Sequence, residues 1–327
     1  MKMQFVDFVT GGSPQSMKVS ETHIPILETN QVLVKVIAFG LNRADTLQRQ
    51  GKYPPPSGES EILGLEVSGE IVAVGADATG WRKGQVVFGL VAGGGYAQYV
   101  AVNHQHIMEK PQNITHQEAA GIAEVFITAY QSLFRHGELQ PRQKVLIHAG
   151  ASGVGLAAIQ LAKLHGCWVA ASASTDKKLE KCRQYGADIT INYKQQDFVE
   201  VIRGNWKGVD LIIDFVAGDY LNRNLKVLNT DGKIIYLAML AGRYADKLDM
   251  ALLLGKRATI IGSTLRNRSD DYKTKLIKEF CHYWLPQFAN GQLHANIDSF
   301  YSAHDIEIAH QRLEDNQTIG KLIGIWR

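Results

Sequence analysis

From Met3 to about Val102 apolar and polar residues alternate in short runs: Val32 to Phe39, Glu66 to Val74, Gln85 to Val91 and Tyr96 to Val102, punctuated by Gly and Pro. Period-two alternation turns one face of each run toward a core, so these runs predict strands and a mostly β region. Near Thr115 the texture changes. His116 to Arg135 carries apolar residues at helical spacing. Beyond it, apolar-rich runs alternate with helical stretches: the run from Val145, Cys167 to Ser174, Ile189 to Asn192, Leu211 to Phe215, Lys233 to Leu237 and Ala258 to Ser263. Buried strands separated by helices predict an α/β fold with a doubly wound parallel sheet. The tail predicts a long helix from Tyr272 to about Phe288, another after His304, and a closing strand at Leu322 to Ile325 that packs back on the β half.

Composition sets bounds on this picture. The 327 residues exceed the roughly 250 to 300 that one core supports, so two domains are expected. A net charge of +3 over mixed signs, with 45% hydrophobic and 20% charged residues, is ordinary for a globular protein and shows no basic stripe for nucleic acid. No apolar stretch approaches the roughly 18 residues of a bilayer span, and Met1-Lys-Met-Gln-Phe-Val leads straight into a strand pattern. No membrane segment and a cytoplasmic location are therefore expected. Cys167, Cys182 and Cys281 lack metal spacing and are read as three unpaired thiols.

The most specific signal is Val145-Leu-Ile-His-Ala-Gly-Ala-Ser-Gly-Val-Gly155, followed by an apolar helical pattern through Leu164. A strand breaking into a small-residue turn before a helix aims backbone N–H groups at an anion, with the helix dipole behind them. Gly150 and Gly155 fill the outer slots of G-x-G-x-x-G, and Ser152 the middle one. The Cys167 to Ser174 strand completes a strand-helix-strand unit, the context in which such a turn binds a dinucleotide pyrophosphate. No Asp or Glu ends that second strand; Ser172, Ser174 and Thr175 stand there, with Lys177 and Lys178 following. Hydroxyls and ammonium groups suit a 2′-phosphate that a carboxylate would repel, so the cofactor is read as NADP(H).

Several stretches then converge: Gly40-Leu-Asn-Arg-Ala-Asp through Tyr53-Pro-Pro-Pro56, Leu63-Gly-Leu-Glu-Val-Ser-Gly-Glu70, Gly94-Gly-Tyr-Ala-Gln-Tyr-Val100, Thr128-Ala-Tyr, the Ala149 to Gly155 turn, and Asn316 to Lys321. In this order they resemble zinc-independent quinone oxidoreductases of the medium-chain dehydrogenase/reductase superfamily. Asn192-Tyr-Lys194 and Ser263-Thr-Leu-Arg-Asn-Arg268 are most similar to the tumour-suppressor-inducible branch, related to zeta-crystallin. The resemblance implies a mostly β, GroES-like catalytic domain built from both chain ends, about 1–122 and 266–327, and a Rossmann domain at 123–265. Zinc-using relatives place a Cys near Asn42 and Gly-His-Glu where this chain has Gly64-Leu65-Glu66, and leucine cannot ligate a metal. No metal is therefore expected.

By position, the resemblance implies that Asn42 and Tyr53 lie near the nicotinamide and orient the substrate, with Thr128 beside it. Ala151, Ser152, Gly153 and Val154 would meet the pyrophosphate. Lys178 and Tyr193 would hold the adenosine phosphate end, and Ser174 stands where some members have glycine. Val216, Leu240, Ala241, Leu265, Arg266, Gly320 and Lys321 would line the nicotinamide half. The implied activity is hydride transfer from NADPH to a quinone in a zinc-free interdomain cleft, with solvent supplying protons, because a hydroquinone anion is stable near neutral pH. Reduction of an activated carbon-carbon double bond, as in an enone or enal, asks for the same geometry. A nucleotide-sensing or RNA-binding role is the reading from another class, and the near-neutral charge opposes it. A homodimer is expected, with the Ala258 to Ser263 strand at an uncovered sheet edge.

Overall fold

The computed structural model describes residues 1–326. The chain begins with strands β1 (Lys2–Asp7), β2 (Lys18–His23) and β3 (Gln31–Leu41), helix α1 (Arg43–Arg49), strands β4 (Glu66–Val74), β5 (Val86–Leu90), β6 (Tyr99–Asn103) and β7 (Ile107–Glu109), and helices α2 (His116–Ala119) and α3 (Ala123–Tyr130). An alternating series follows: β8 (Lys144–Ile147), α4 (Gly153–Leu164), β9 (Trp168–Ala173), α5 (Asp176–Gln184), β10 (Ile189–Asn192), α6 (Phe198–Trp206), β11 (Val209–Asp214), α7 (Tyr220–Val227), β12 (Leu228–Tyr236), α8 (Met250–Lys256) and β13 (Thr259–Gly262). The chain closes with α9 (Asp270–Tyr283), α10 (Leu285–Ala289), β14 (Ile297–Ser302), α11 (Ile306–Glu314) and β15 (Lys321–Ile325). Two compact units result: Met1–Ile127 together with the chain from Leu265 on, and Thr128–Thr264. No helix among the described residues is long and apolar enough to cross a membrane.

In the first unit, alternation along β3 buries Val32, Val34 and Val36 while Lys35 faces solvent. The main sheet runs β14-β15-β3-β4-β5-β7, with β6 also paired to β3. Its pairs are antiparallel except β14 with β15, so both chain ends contribute to one sheet. Val34, Phe39, Val67, Ile71, Val87 and Tyr96 belong to its core.

The second unit holds a six-stranded parallel sheet in the order β10-β9-β8-β11-β12-β13. Numbered within the unit this is 3-2-1-4-5-6, the doubly wound Rossmann order, whose direction reverses between β8 and β11. Val145, Leu146 and Ile147 are each fully buried, as a central strand covered on both faces requires. β13 lies at the sheet edge, with Ile260 exposed.

The helical spacing from His116 to Arg135 corresponds to two short α-helices followed by a π-helix at Gln131–His136. Two expectations need correction. The helix expected to reach Phe288 stops at Tyr283, and Pro286 restarts it as α10, because proline has no N–H for the carbonyl four residues back. The strand expected from Tyr96 begins at Tyr99.

Candidate functional site

The turn after β8 is shaped by close packing. A Cβ on Gly150 would stand 2.8 Å from the Ala171 Cβ and 3.3 Å from the Cys182 Sγ, so any side chain there pushes the turn off β9. Ser152 caps α4, its Oγ accepting from the Gly155 amide at 3.1 Å. Gly153 and Val154 form the first turn of α4, whose N–H groups have no carbonyl four residues back and face an anion with the helix dipole behind them. Ala151 is buried beneath this turn.

At the next strand end, Ser174 is partly exposed, and Tyr193, just past β10, is 40% exposed. Thr175 spends its hydroxyl capping α5, accepting from the Lys178 amide at 3.3 Å, and Lys178 itself is buried. Asp176 accepts from Asn192 Nδ2 at 3.3 Å. At the ends of β11 and β12, the Leu240 amide donates to the Phe215 carbonyl at 3.0 Å and the Ala241 amide to the Val216 carbonyl at 2.9 Å. Val216, Leu240 and Ala241 are thus brought together. Thr128 opens this unit, its Oγ1 buried with no hydrogen-bond partner.

Beneath these turns lies a buried polar chain that sequence reading missed. Asp214 Oδ1 accepts from the Val216 and Ala217 amides at 2.5 and 3.0 Å, and Oδ2 from Asn224 Nδ2 at 2.6 Å. A carboxylate only accepts, so the Asn224 amide N–H faces Asp214 and its Oδ1 is left to accept a hydrogen bond from His148 Nε2, 2.9 Å away. Burial pushes the His148 pKa down, so the ring is neutral and its Nδ1 accepts from the Ser172 hydroxyl at 2.9 Å. This chain fixes the Val216–Ala217 turn.

In the first unit the backbone of β3 leads into Asn42, the cap of α1. Asn42 Nδ2 donates to Glu66 Oε1 at 3.1 Å, and its Oδ1 accepts from Lys321 Nζ at 2.8 Å. Lys321, 4% exposed at the start of β15, also reaches the Leu41 carbonyl at 2.8 Å and Glu66 Oε1 at 2.5 Å. All three donors of its ammonium are satisfied. Gly320 precedes it with φ +91°, and a Cβ there would overlap Asn296, whose carbonyl accepts from the Lys321 amide at 2.8 Å.

One turn into α1, Asp45 is fully buried and accepts from the Asn42 amide at 2.7 Å, the Gly64 amide at 3.1 Å and the Tyr96 hydroxyl at 3.1 Å. Burial raises its pKa to about 6 against the lowering effect of the Asn42 amide and of Lys321. The Tyr96 hydroxyl also meets His310 Nε2 at 3.1 Å, and Arg49 Nε donates to His310 Nδ1 at 3.4 Å. Arg49 further pairs with Glu314. Burial, then the Arg49 charge, drop the His310 pKa to about 3.

Leu265 and Arg266 are both buried in this unit. Arg266 Nε donates to the Ala92 carbonyl at 2.7 Å, and its guanidinium carbon lies 5.6 Å from the centroid of the Tyr53 ring. Burial raises the Tyr53 pKa, and the nearby Glu124 charge adds to the effect. Glu124, whose amide donates to Glu66 Oε2 at 2.9 Å, is a further acid that sequence reading passed over. Its signal was a lone carboxylate in the apolar run Gly121-Ile-Ala-Glu-Val-Phe-Ile.

Two family models match the chain: an alcohol dehydrogenase GroES-like domain over residues 28–112, and a zinc-binding dehydrogenase over residues 153–280. A synaptic vesicle membrane protein VAT-1 homolog of Danio rerio is 32% identical over 313 residues, covering 91% of this chain and 65% of its own; the chain spans about two thirds of that relative's length. The Homo sapiens quinone oxidoreductase is 29% identical over 320 residues, covering 95% and 94%. The solved structure of the quinone oxidoreductase from Coxiella burnetii superposes with a TM-score of 0.81 at 27% identity, covering 100% of both chains. Fold and site define an oxidoreductase with a dinucleotide-binding unit and a GroES-like unit. The chain belongs to the medium-chain dehydrogenase/reductase superfamily, whose members use a nicotinamide cofactor.

The description of one model implies zinc, and the residues here do not fit it. Leu65 offers no donor, Asn42 is held by Glu66 and Lys321, and the Lys321 ammonium is the cation paired to Glu66. Among the described residues no group of three or more His, Cys, Asp or Glu side chains is placed to hold a metal ion. The dinucleotide does fit the second unit: a close-packed turn, a helix start and the unpartnered Thr128 hydroxyl all belong to it.

Proposed function

We propose that this protein is an NADPH-dependent quinone reductase that works without zinc. The observation that carries the reading is Lys321, whose satisfied ammonium pairs with Glu66 beside Leu65, so no Lewis acid is available to hold an alkoxide. An acceptor that needs none is favoured, and a quinone is one. Relatives named quinone oxidoreductase support the same class.

When bound, the reduced nicotinamide supplies a hydride. The amides of Ala151, Gly153 and Val154 grip the pyrophosphate, and Ser174, Lys178 and Tyr193 receive the 2′-phosphate end. The turn held by Asp214, with Val216, Leu240, Ala241 and Thr128, supports the nicotinamide half. Asn42, pinned by Glu66, Lys321 and the Gly40 carbonyl, is a rigid wall, and Tyr53 over Arg266 offers an aromatic face for a flat acceptor. The uncovered edge of β13 is the expected surface for a homodimer.

The test is loss of absorbance at the reduced-nicotinamide band with a panel of quinones, NADPH and NADH supplied separately. Turnover that persists after chelator treatment and favours NADPH at least tenfold is expected. No quinone-dependent loss, or activity restored only by added zinc, rejects the reading. An enone in competition, with product analysis, separates quinone from alkene reduction.

A further inference from the structure

Arg266 is 6% exposed, yet only its Nε is engaged; neither Nη1 nor Nη2 has a hydrogen-bond partner. A buried guanidinium with two idle nitrogens is costly unless a ligand completes it, and a ligand atom that gains negative charge completes it best. Arg266 lines a small recess in the first unit with Leu65, Leu90, Val91, Leu265 and Glu124. The walls are thus mostly apolar, with a cation that donates and a carboxyl group at the same recess, whose volume of about 20 Å³ admits an acceptor's oxygen while the ring stays outside. His106 and Lys273 also reach it.

We propose that Arg266 holds the acceptor's carbonyl oxygen through its free Nη donors, and that Glu124 is the acid that protonates that oxygen. This rests on the reductase reading given above. Addition of a hydride, two electrons and one hydrogen nucleus, reduces the quinone to its hydroquinone monoanion and oxidises the nicotinamide. The O–H bond of the Glu124 carboxyl then breaks as a new O–H bond forms on the acceptor, giving neutral hydroquinone, and the carboxylate takes a proton back from water. Solvent remains the ultimate source, but delivery runs through one side chain.

The surroundings of Glu124 favour the acid form at neutral pH. Burial, then the Glu66 carboxylate and at longer range Asp45, push its pKa up to about 8, against the opposing charges of Lys321 and Arg266. A general acid is most useful when it is still protonated at working pH and close to releasing its proton.

Benzoate, a flat anion whose own charge is constant between about pH 6 and 10, tests the pair without turnover. Calorimetric titration of the full chain is expected to show binding that Arg266→Met weakens at least tenfold. Wild-type affinity should fall as pH rises past about 8, where Glu124 ionises beside the site, and Glu124→Gln, an isostere, should bind equally on both sides of that pH. With quinone, Glu124→Gln should lower kcat at least tenfold and lose the alkaline decline. Absence of benzoate binding to wild type, equal binding by Arg266→Met, or an unchanged pH profile in Glu124→Gln overturns the proposal. Arg266→Lys keeps the charge and loses the fork, so it answers the same question if the methionine variant does not fold. Benzoate binding of the expected form without any quinone turnover would reject the reductase reading and leave this anion pocket standing.

Discussion

Lys321 shows how one side chain sets the chemistry around it. Its ammonium is buried with three acceptors, and the Glu66 carboxylate that balances it is fully buried too. Breaking such a pair by removing one partner leaves an uncompensated charge and costs about 3 to 5 kcal/mol. Lys321→Met should therefore lower stability by that order in urea unfolding, and adding Glu66→Gln should recover part of the loss; equal stability of the single variant and wild type would show that the pair is not closed. Asp214 works in the opposite direction, organising backbone rather than charge. Asp214→Asn turns an acceptor into a donor facing the Asn224 amide, so either the Val216–Ala217 turn or the His148 chain must give way. With charged hydrogen bonds worth about 1.5 to 3 kcal/mol, NADPH affinity should drop about tenfold or more by fluorescence titration. Unchanged affinity would mean the turn is held by other contacts.

At the scale of elements, legibility followed local physics. β4 and β10 run over the predicted residues because β4 begins and ends with its apolar pattern and β10 is a short apolar run between turns. Helix α1 gave no such signal: seven residues with Arg, Asp, Thr and Gln show no apolar period, and their polar side chains are buried by partners distant in sequence, such as Glu314 for Arg49. β14 was also missed, since Ile297-Asp-Ser-Phe-Tyr-Ser is a strand only by virtue of pairing with β15. The same division holds for the site. The glycine turn after β8 is a local device and stood out, whereas Asp45, Tyr96 and His310 come together from three distant stretches, which no spacing rule reveals. The glycine turn also carries a sharp expectation. Gly150→Ala places a methyl 2.8 Å from the Ala171 Cβ, so strand β9 and the turn must part by several tenths of an ångström. Overpacking of this kind costs about 1 to 3 kcal/mol, to be read as a lowered unfolding midpoint with a matching loss of NADPH affinity. A variant with wild-type midpoint and affinity would contradict the packing described.

At the scale of the whole molecule, opposing groups set the pH of greatest stability. His310 is held near 3, and burial also lowers the pKa of His106, His116 and His148. Each of these rings takes up a proton in the unfolded chain near 6.5 but resists it in the fold, so the stability they contribute is present above that pH and is lost as pH falls. Asp45 and Glu124 act with the other sign. Their pKa values are raised to about 6 and about 8, so the fold keeps protons that the unfolded chain releases near 4, and the stability they contribute is lost as pH rises through those values. Below about 6.5 four histidines oppose two carboxyl groups and acid destabilises; between about 6.5 and 8 Glu124 alone remains and alkali destabilises. The unfolding free energy from urea titration should therefore peak near pH 6.5 and decline on the alkaline side by about 2 kcal/mol up to pH 8, one proton over roughly one and a half units. Glu124→Gln should flatten that alkaline limb while leaving the acid limb in place. A wild-type profile that stays level from pH 6.5 to 8, or a Gln variant that keeps the decline, would mean that Glu124 already ionises below neutrality in the folded chain.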